Sequence, residues 1–175
     1  MNQVPEKLSG FRVYRDGVDL IGIADAELPS IEPMKETVKG AGIAGEVESP
    51  VLGHFGSMTL KLSWRTVTNN MIRLSQQKAH HLDLRGSIQA FDTTAGAGEF
   101  KTVPLKVMVK AIPKKTDLGK FDTGGKMDSA AEFEVIYIKV WLNNNSVVEI
   151  DKYNYVCVID GEDYLANIRA ALGLL

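Results

Sequence analysis

Three histidines, one cysteine and a glycine-rich hexapeptide carry most of the chemical potential in this sequence. His80 and His81 are adjacent. On a strand, neighbouring side chains face opposite sides, so the pair cannot share a metal ion. No other His, Cys or carboxylate falls at metal-ligand spacing around His54 or Cys157. Cys157 lies in the apolar run YNYVCVI, where a thiol packs as a small inert hydrophobe. GAGIAG (40–45) has the letters of a phosphate loop. It lacks the strand–loop–helix setting and the Lys-Ser/Thr that such a loop needs. Gly40, Gly42 and Gly45 are therefore expected to permit a tight bend or a close backbone approach. Asp117, Asp122 and Asp128 are not at the spacing of a calcium loop, which ends in a bidentate Glu. No nucleophile elbow occurs. The expectation is a chain with no catalytic residue, no metal and no cofactor, and not an enzyme.

The elements that would position any site read as mostly β. Residues 57–68 put Met58, Leu60, Leu62 and Trp64 on one face and Ser57, Thr59, Lys61, Ser63 and Arg65 on the other. The same period of two runs through 80–92 and 103–111. Pro104, with no N–H to give, is expected at a strand start, an edge or a bulge. Residues 131–142 and 153–159 are apolar on both faces and are expected to pair through the turn NNNS (143–146). A strand covered on both faces needs a second layer, either a helix or a neighbouring copy. Asp16-Gly17 predicts an early hairpin. Helices are expected over 69–78, capped by Asn69 or Asn70, and over 161–175, capped by Asp160 and ended by Gly173. Leu165, Ile168 and Leu172 would form the buried face of the second.

Length and composition bound the rest. The chain has 175 residues, 45% hydrophobic and 24% charged, which is ordinary globular usage and predicts one domain, 1–175. No apolar run reaches membrane-spanning length, no stable membrane association is expected, and no secretory signal is visible at the start. A lone cysteine fits folding in a reducing cytoplasm. Residues 1–60 carry net −4, residues 61–115 net +7 and residues 116–175 net −5. A basic middle between acidic ends either neutralises itself inside one fold or places complementary patches on different faces that steer copies head to tail. Lys61, Arg65, Arg85, Lys106 and Lys110 lie on strand faces without aromatic interleaving. They are expected on a solvated or intersubunit face rather than a nucleic-acid surface.

Residues 29–56 stand apart. Three prolines and five glycines predict a long extended loop, yet the stretch retains apolar residues that a linker would lose. An arm that orders against a partner keeps them. Ile31, Met34, Val38, Gly40, Gly42, Ile43, Gly45, Val47 and Phe55 of this arm, with Trp141 of the two-sided strand, are the candidate intersubunit contacts. Residues 114–129, polar and glycine-rich, are expected to form a mobile loop.

Residues 16–65 (DGVDLIGIADAELPSIEPMKETVKGAGIAGEVESPVLGHFGSMTLKLSWR) resemble the major tail tube proteins of contractile-tailed phages and of phage-tail-like bacteriocins, the tailocins. The resemblance lies in Leu20 and Gly22, then Glu27-Leu28-Pro29, the passage from Glu36 to Gly40-Ala41-Gly42 and Gly45, and the strand with Leu60. AFDTTAGAGEFKTVPLKVMVKAI (90–112) and the closing IRAALGLL (168–175) extend it over nearly the whole chain. The resemblance implies an antiparallel β-sandwich or partial barrel with a flanking helix. It implies six copies in a ring and rings stacked into a hollow tube within a contractile sheath, with the arm touching neighbouring copies. Implied partners are the chain itself, the tail sheath, the tape measure protein, the baseplate hub and the tail terminator, with transient, non-specific passage of DNA. The implied place is a virion tail or tailocin particle assembled in a bacterial host cytoplasm, where the tube serves as DNA conduit or membrane-piercing needle. A ring-forming tube protein of a bacterial contractile secretion system and a monomeric β-sandwich binding module are the alternatives.

Overall fold

The computed structural model describes residues 3–20, 22–94 and 96–174. The chain opens with β1 (Gln3–Arg15), β2 (Val18–Asp19) and β3 (Ile23–Glu27), followed by β4 (Pro33–Val38), β5 (Val47–Phe55) and β6 (Thr59–Trp64). After α1 (Asn69–Leu74) come the long strands β7 (His80–Asp92), β8 (Glu99–Asp117) and β9 (Ser129–Leu142). The chain closes with β10 (Asn145–Asp151), β11 (Val156–Ile159), β12 (Glu162–Asp163) and α2 (Ala166–Ala171). The main sheet is antiparallel in the order β12-β11-β10-β9-β8-β7-β1-β2. A branch, β3-β6, joins it at β9, while β4 and β5 pair only with each other. The result is a partial barrel with two short flanking helices.

The period of two finds the core. Leu60, Leu62 and Trp64 of β6 are buried, as are Leu82 and Leu84 of β7 and Val107, Val109 and Ala111 of β8. Pro104 sits just beyond Leu105, the first residue of β8 that pairs with β9, so its missing N–H costs no bond on that edge. Asp16 and Gly17 both take positive φ at the β1–β2 turn, as the hairpin signal requires.

Strand β9 departs from its expected description. Ala131, Phe133 and Val135 face the core, and then the inward phase changes so that Ile138 is buried. The cause is Ile136, an extra residue between the pairs Ala111–Val135 and Lys110–Tyr137. The change coincides with a change of partner. Residues 129–134 pair with β6, and residues 137–142 pair with β10. Much of the two-sided apolarity is thus two half-strands with opposite inward faces.

Five other expectations are corrected. Asn143 and Asn144 do turn the chain, both at positive φ, but they join β9 to β10, which the sequence reading passes over. The strand expected over 153–159 begins only at Val156. The Asp151 carboxylate accepts from the N–H groups of Tyr153 (3.0 Å) and Asn154 (3.1 Å) and forces a turn there. The first helix is capped by Thr68, whose hydroxyl accepts from Met71 N at 3.2 Å, rather than by Asn69 or Asn70. The second helix is shorter than 161–175. Asp160 (φ 50°) and Gly161 (φ 83°) form the β11–β12 turn instead of a cap, and Leu172 is exposed. Leu165 is buried and Gly173 ends the helix at φ 71°, as expected; Leu175 lies outside the described residues. Residues 114–117 belong to β8 and Ser129 to β9, leaving a loop of residues 118–128. No helix among the described residues is long and apolar enough to cross a membrane.

The far end of the β7–β8 hairpin is tied by Asp92, a buried carboxylate. It accepts from Lys101 Nζ at 2.6 Å, from Thr94 N at 2.9 Å and Oγ1 at 2.5 Å, and from Gln3 at 3.4 Å. Lys101 first, then Thr94, hold it well below the usual carboxylate range. A carboxylate depressed in the folded state stabilises above its unfolded pKa of about 3.9 and loses that contribution as pH falls toward the folded value. The gap in melting temperature between wild type and Asp92→Asn should therefore be constant from about pH 5 to 8. It should narrow progressively below about pH 4.

Candidate self-association surfaces

Residues 33–55 form a β-hairpin rather than an extended loop. Val38 pairs with Val47, Thr37 with Glu48, Glu36 with Ser49 and Lys35 with Pro50. The period of two is there, but Pro33, Pro50 and Gly53 interrupt it and hide it in the sequence. At the tip, Gly40 (φ 144°), Gly42 (φ 93°) and Gly45 (φ 133°) hold backbone conformations closed to other residues, and Ile43 N donates to Gly40 O at 3.2 Å. The glycine-rich hexapeptide is thus a hairpin connection.

The ribbon has two unlike faces. Lys35–Glu48 (3.6 Å) and Lys39–Glu46 (3.7 Å) cross it on one side as exposed ion pairs, worth little in water. Val38 and Val47 are opposite partners on the other side. Ile31, Met34, Val38, Ile43, Val47, Val51 and Leu52 are all exposed. An isolated two-stranded hairpin is marginal in water, so the exposed distal part of this ribbon calls for a covering layer.

Among the described residues, the ties between ribbon and body lie at its base. Gly56 N donates to Glu32 O (2.9 Å), and Lys152 Nζ bridges Gly56 O (2.8 Å) and Glu134 Oε1 (3.1 Å). Ser57 Oγ donates to the same carboxylate. Burial raises the Glu134 carboxyl, but bonds from Ser57, Lys152 and Met58 N outweigh it and hold it below its ordinary value. At Gly53 (φ 69°) a Cβ would lie 2.1 Å from Leu165 Cδ2, so glycine alone lets the ribbon's root close onto that buried leucine. His54 stands edge-on to Tyr155, with ring centroids 6.3 Å apart. Phe55 packs against the core of its own chain, unlike the other candidates in the arm.

Trp141 lies elsewhere, on the outer face of the sheet. There the register sets Arg12, Arg85, Lys106 and Trp141 in one row across four strands, with Tyr14, Asp83, Met108 and Lys139 in the next. Lys106 Nζ sits 4.9 Å and Lys139 Nζ 5.3 Å from the Trp141 ring; Lys110 covers Tyr137 at 5.2 Å, and Arg85 covers Tyr14 at 5.3 Å. The basic face is therefore interleaved with aromatics after all, contributed by neighbouring strands. Asp83 meets Arg85 (2.9 Å) and Lys106 (3.6 Å), and Glu149 meets Lys139 (2.9 Å). Glu149 also accepts from Tyr137, whose hydroxyl is pushed up to about 12 by burial and by that carboxylate. Lys61–Glu27 and Lys114–Glu134 join the basic middle of the chain to both acidic ends. These two pairs neutralise a small part of the charge asymmetry within the fold.

Three of the titratable candidates are engaged within the fold. His80 is buried, with Nε2 3.1 Å from Gln76 O, and burial pushes the Cys157 thiol up. Asp117 accepts from Gly119 N. Among the described residues, no group of three or more His, Cys, Asp or Glu is placed to hold a metal ion.

The family described as phage tail tube protein FII matches residues 5–173. This chain belongs to that family. The tail tube protein of Escherichia phage P2 is 26% identical over 178 residues, with 98% of this chain and 99% of that protein covered. The major tail tube protein of Serratia phage KSP20 is 24% identical over 173 residues, with 98% of each covered. Among solved structures, the sheath/tube terminator of an extracellular contractile injection system matches with TM-score 0.55. It has 13% identity and covers 81% of this tail tube chain and 99% of the terminator, a likeness of fold. The tail tube fold is thus mainly antiparallel β, and its place is the tail of a phage-type particle.

Proposed function

We propose that this protein is the repeating subunit of a hollow tail tube, built from stacked rings of six copies, with the ribbon 33–55 as the arm that joins copies. The observation that carries this reading is the ribbon itself. Among the described residues its ties to the body lie at its base, and Met34, Val38, Ile43 and Val47 are exposed. Heterologous contact, in which this ribbon meets a different patch on the next copy, produces rings and stacks rather than closed pairs. The relatives named as tail tube proteins support a structural, non-enzymatic role.

The tube is a conduit for DNA or a piercing needle within a contractile sheath, wound on a tape measure and closed by a baseplate hub and a terminator. It is made in the bacterial host. DNA slides in such a bore only where few free cations grip phosphate. The outer sheet face suits that demand, because Arg85, Lys106 and Lys139 are already met by carboxylates of their own chain. Electron microscopy of the purified protein tests the reading. The expected particles are tubes or stacked six-fold rings; a uniform monomer at high concentration overturns it.

A further inference from the structure

We infer that copies of this chain stack end to end through opposite charge, the basic end built by residues 65–79 and 115–128 of one copy meeting the acidic end of the next. The contact is separate from the ribbon and rests on the reading that copies self-associate. Residues 65–79 and 115–128 hold six Lys/Arg and three Asp, a net of +3, in a chain whose formal net charge is −2, so the remainder carries −5. The fold brings the two segments together. Met127 N donates to Arg65 O (2.8 Å), and the hydroxyls of Ser75 and Thr116 stand 2.9 Å apart. Arg65, Arg73, Lys78, Lys115, Lys120 and Lys126 are all exposed. None of the six forms an ion pair among the described residues, whereas most cations elsewhere in the chain do. The loop 118–128 that presents Lys120 and Lys126 is held in place. Gly119 N donates to Asp117 Oδ1 (2.9 Å), Lys120 N to Met127 O (2.9 Å) and Ser129 Oγ to Leu118 O (3.0 Å). The charges therefore sit on a pre-organised surface, which lowers the ordering cost of binding.

The opposite end answers in sign. Strand β9 starts at the basic end with Ser129 and finishes at the other with Leu142. Asp160 and Glu162 flank the β11–β12 turn at that second end. Asp160 N donates to Val147 O (2.8 Å), and Ile159, the partner of Glu162, pairs with Val148, itself opposite Val140 of β9. Glu6 lies farther out, between the pairs Pro5–Ala90 and Lys7–Gln89, beyond the Gly86–Leu105–Leu142 level where β9 stops. Glu6, Asp160 and Glu162 are exposed, and none forms an ion pair among the described residues. Lys7 stands beside Glu6 as a cation of the same end. The two ends thus mix signs in opposite proportion: cations interspersed with Asp117, Asp122 and Asp128 at one, carboxylates with Lys7 at the other. A second copy matches that mixture. A nucleic acid does not, because the interspersed carboxylates repel its phosphates. The two ends are different patches, so the contact runs head to tail and propagates from copy to copy.

Charge reversal in the full chain tests the contact. Lys120→Glu with Lys126→Glu turns the basic end, and Glu6→Lys with Glu162→Lys turns the acidic end; all four residues are exposed. Each pair alone should raise the concentration needed for stacking at least about tenfold at low salt, as like charges replace opposite ones. The fourfold variant should recover wild-type stacking, because both ends have changed sign together. Both losses should shrink at about 1 M NaCl, where the screening length falls to about 3 Å. Sedimentation and electron microscopy read stacking, and circular dichroism reads the fold of each variant. Normal stacking by either pair, or a folded fourfold variant that does not recover, overturns the charge contact and leaves self-association through the ribbon standing. Binding of a short DNA duplex that Lys120→Glu with Lys126→Glu removes, with stacking unchanged, overturns it in favour of a polyanion. Wild-type protein that forms no particles overturns both readings.

Discussion

Replacing residues 38–48 by a two-residue Asn-Gly turn should abolish polymer growth while leaving the monomer's melting temperature unchanged. The removed piece is the distal ribbon with its glycine connection. None of its residues belongs to the core cluster. The contacts described above that fix the ribbon's root lie outside it: Gly56 to Glu32, Lys152 to Gly56, and Gly53 against Leu165. What is lost is exposed apolar surface, including Val38, Ile43 and Val47. Buried between copies, such surface stabilises by about 25 cal/mol per Å² before association costs. Val38→Asp combined with Val47→Asp should give the same loss without shortening the chain, because a carboxylate cannot be buried there unpaired. Sedimentation and electron microscopy read assembly, and circular dichroism reads the fold. Normal tubes from either variant would remove the ribbon from the joint.

Phe133→Ala should cost the monomer about 3–5 kcal/mol, the usual loss for a fully buried aromatic. Phe133 is inaccessible to solvent and is held on both sides, opposite Leu60 of β6 and Pro113 of β8. The surrounding strands are hydrogen-bonded across the gap and cannot collapse into it. For a domain of this size the melting temperature should fall by roughly 6–20 °C, read by calorimetry below the assembly concentration. A fall of only a degree or two would show that the branch point of the sheet at β9 is not the mechanical centre of the fold.

The legible parts of the fold were those with one wet face and one buried face. In β6 and β7, and in the middle of β8, alternation alone picked out the residues that turn inward. It failed at β9, because the extra residue Ile136 is set by pairing with β8 and leaves no mark in the local pattern. It failed at 161–175 because Leu165, Ile168 and Leu172 have helical spacing, while the pairing of Glu162 and Asp163 with β11 takes the first turn for a strand. Asp163 then accepts from Leu165 N and binds Arg169, a positioning role that the sequence pattern does not suggest. For the surfaces, the arm was visible as retained apolar residues, but its prolines and glycines masked the hairpin register. The pairing of lysines with Trp141 and Tyr137 arises across strands, so only the neighbouring Tyr137, Lys139 and Trp141 in one stretch could have signalled it.

The shared strand has a mechanical consequence. Along one edge β9 gives half its length to β6 and half to β10, while β8 runs beside almost all of it on the other. Shear applied to the branch is passed to the main run of the sheet through continuous main chain instead of through side-chain friction. The body resists deformation as a single stiff block. In a filament joined as proposed, bending and twisting would be absorbed at the slender ribbons, which would set where a loaded tail yields first.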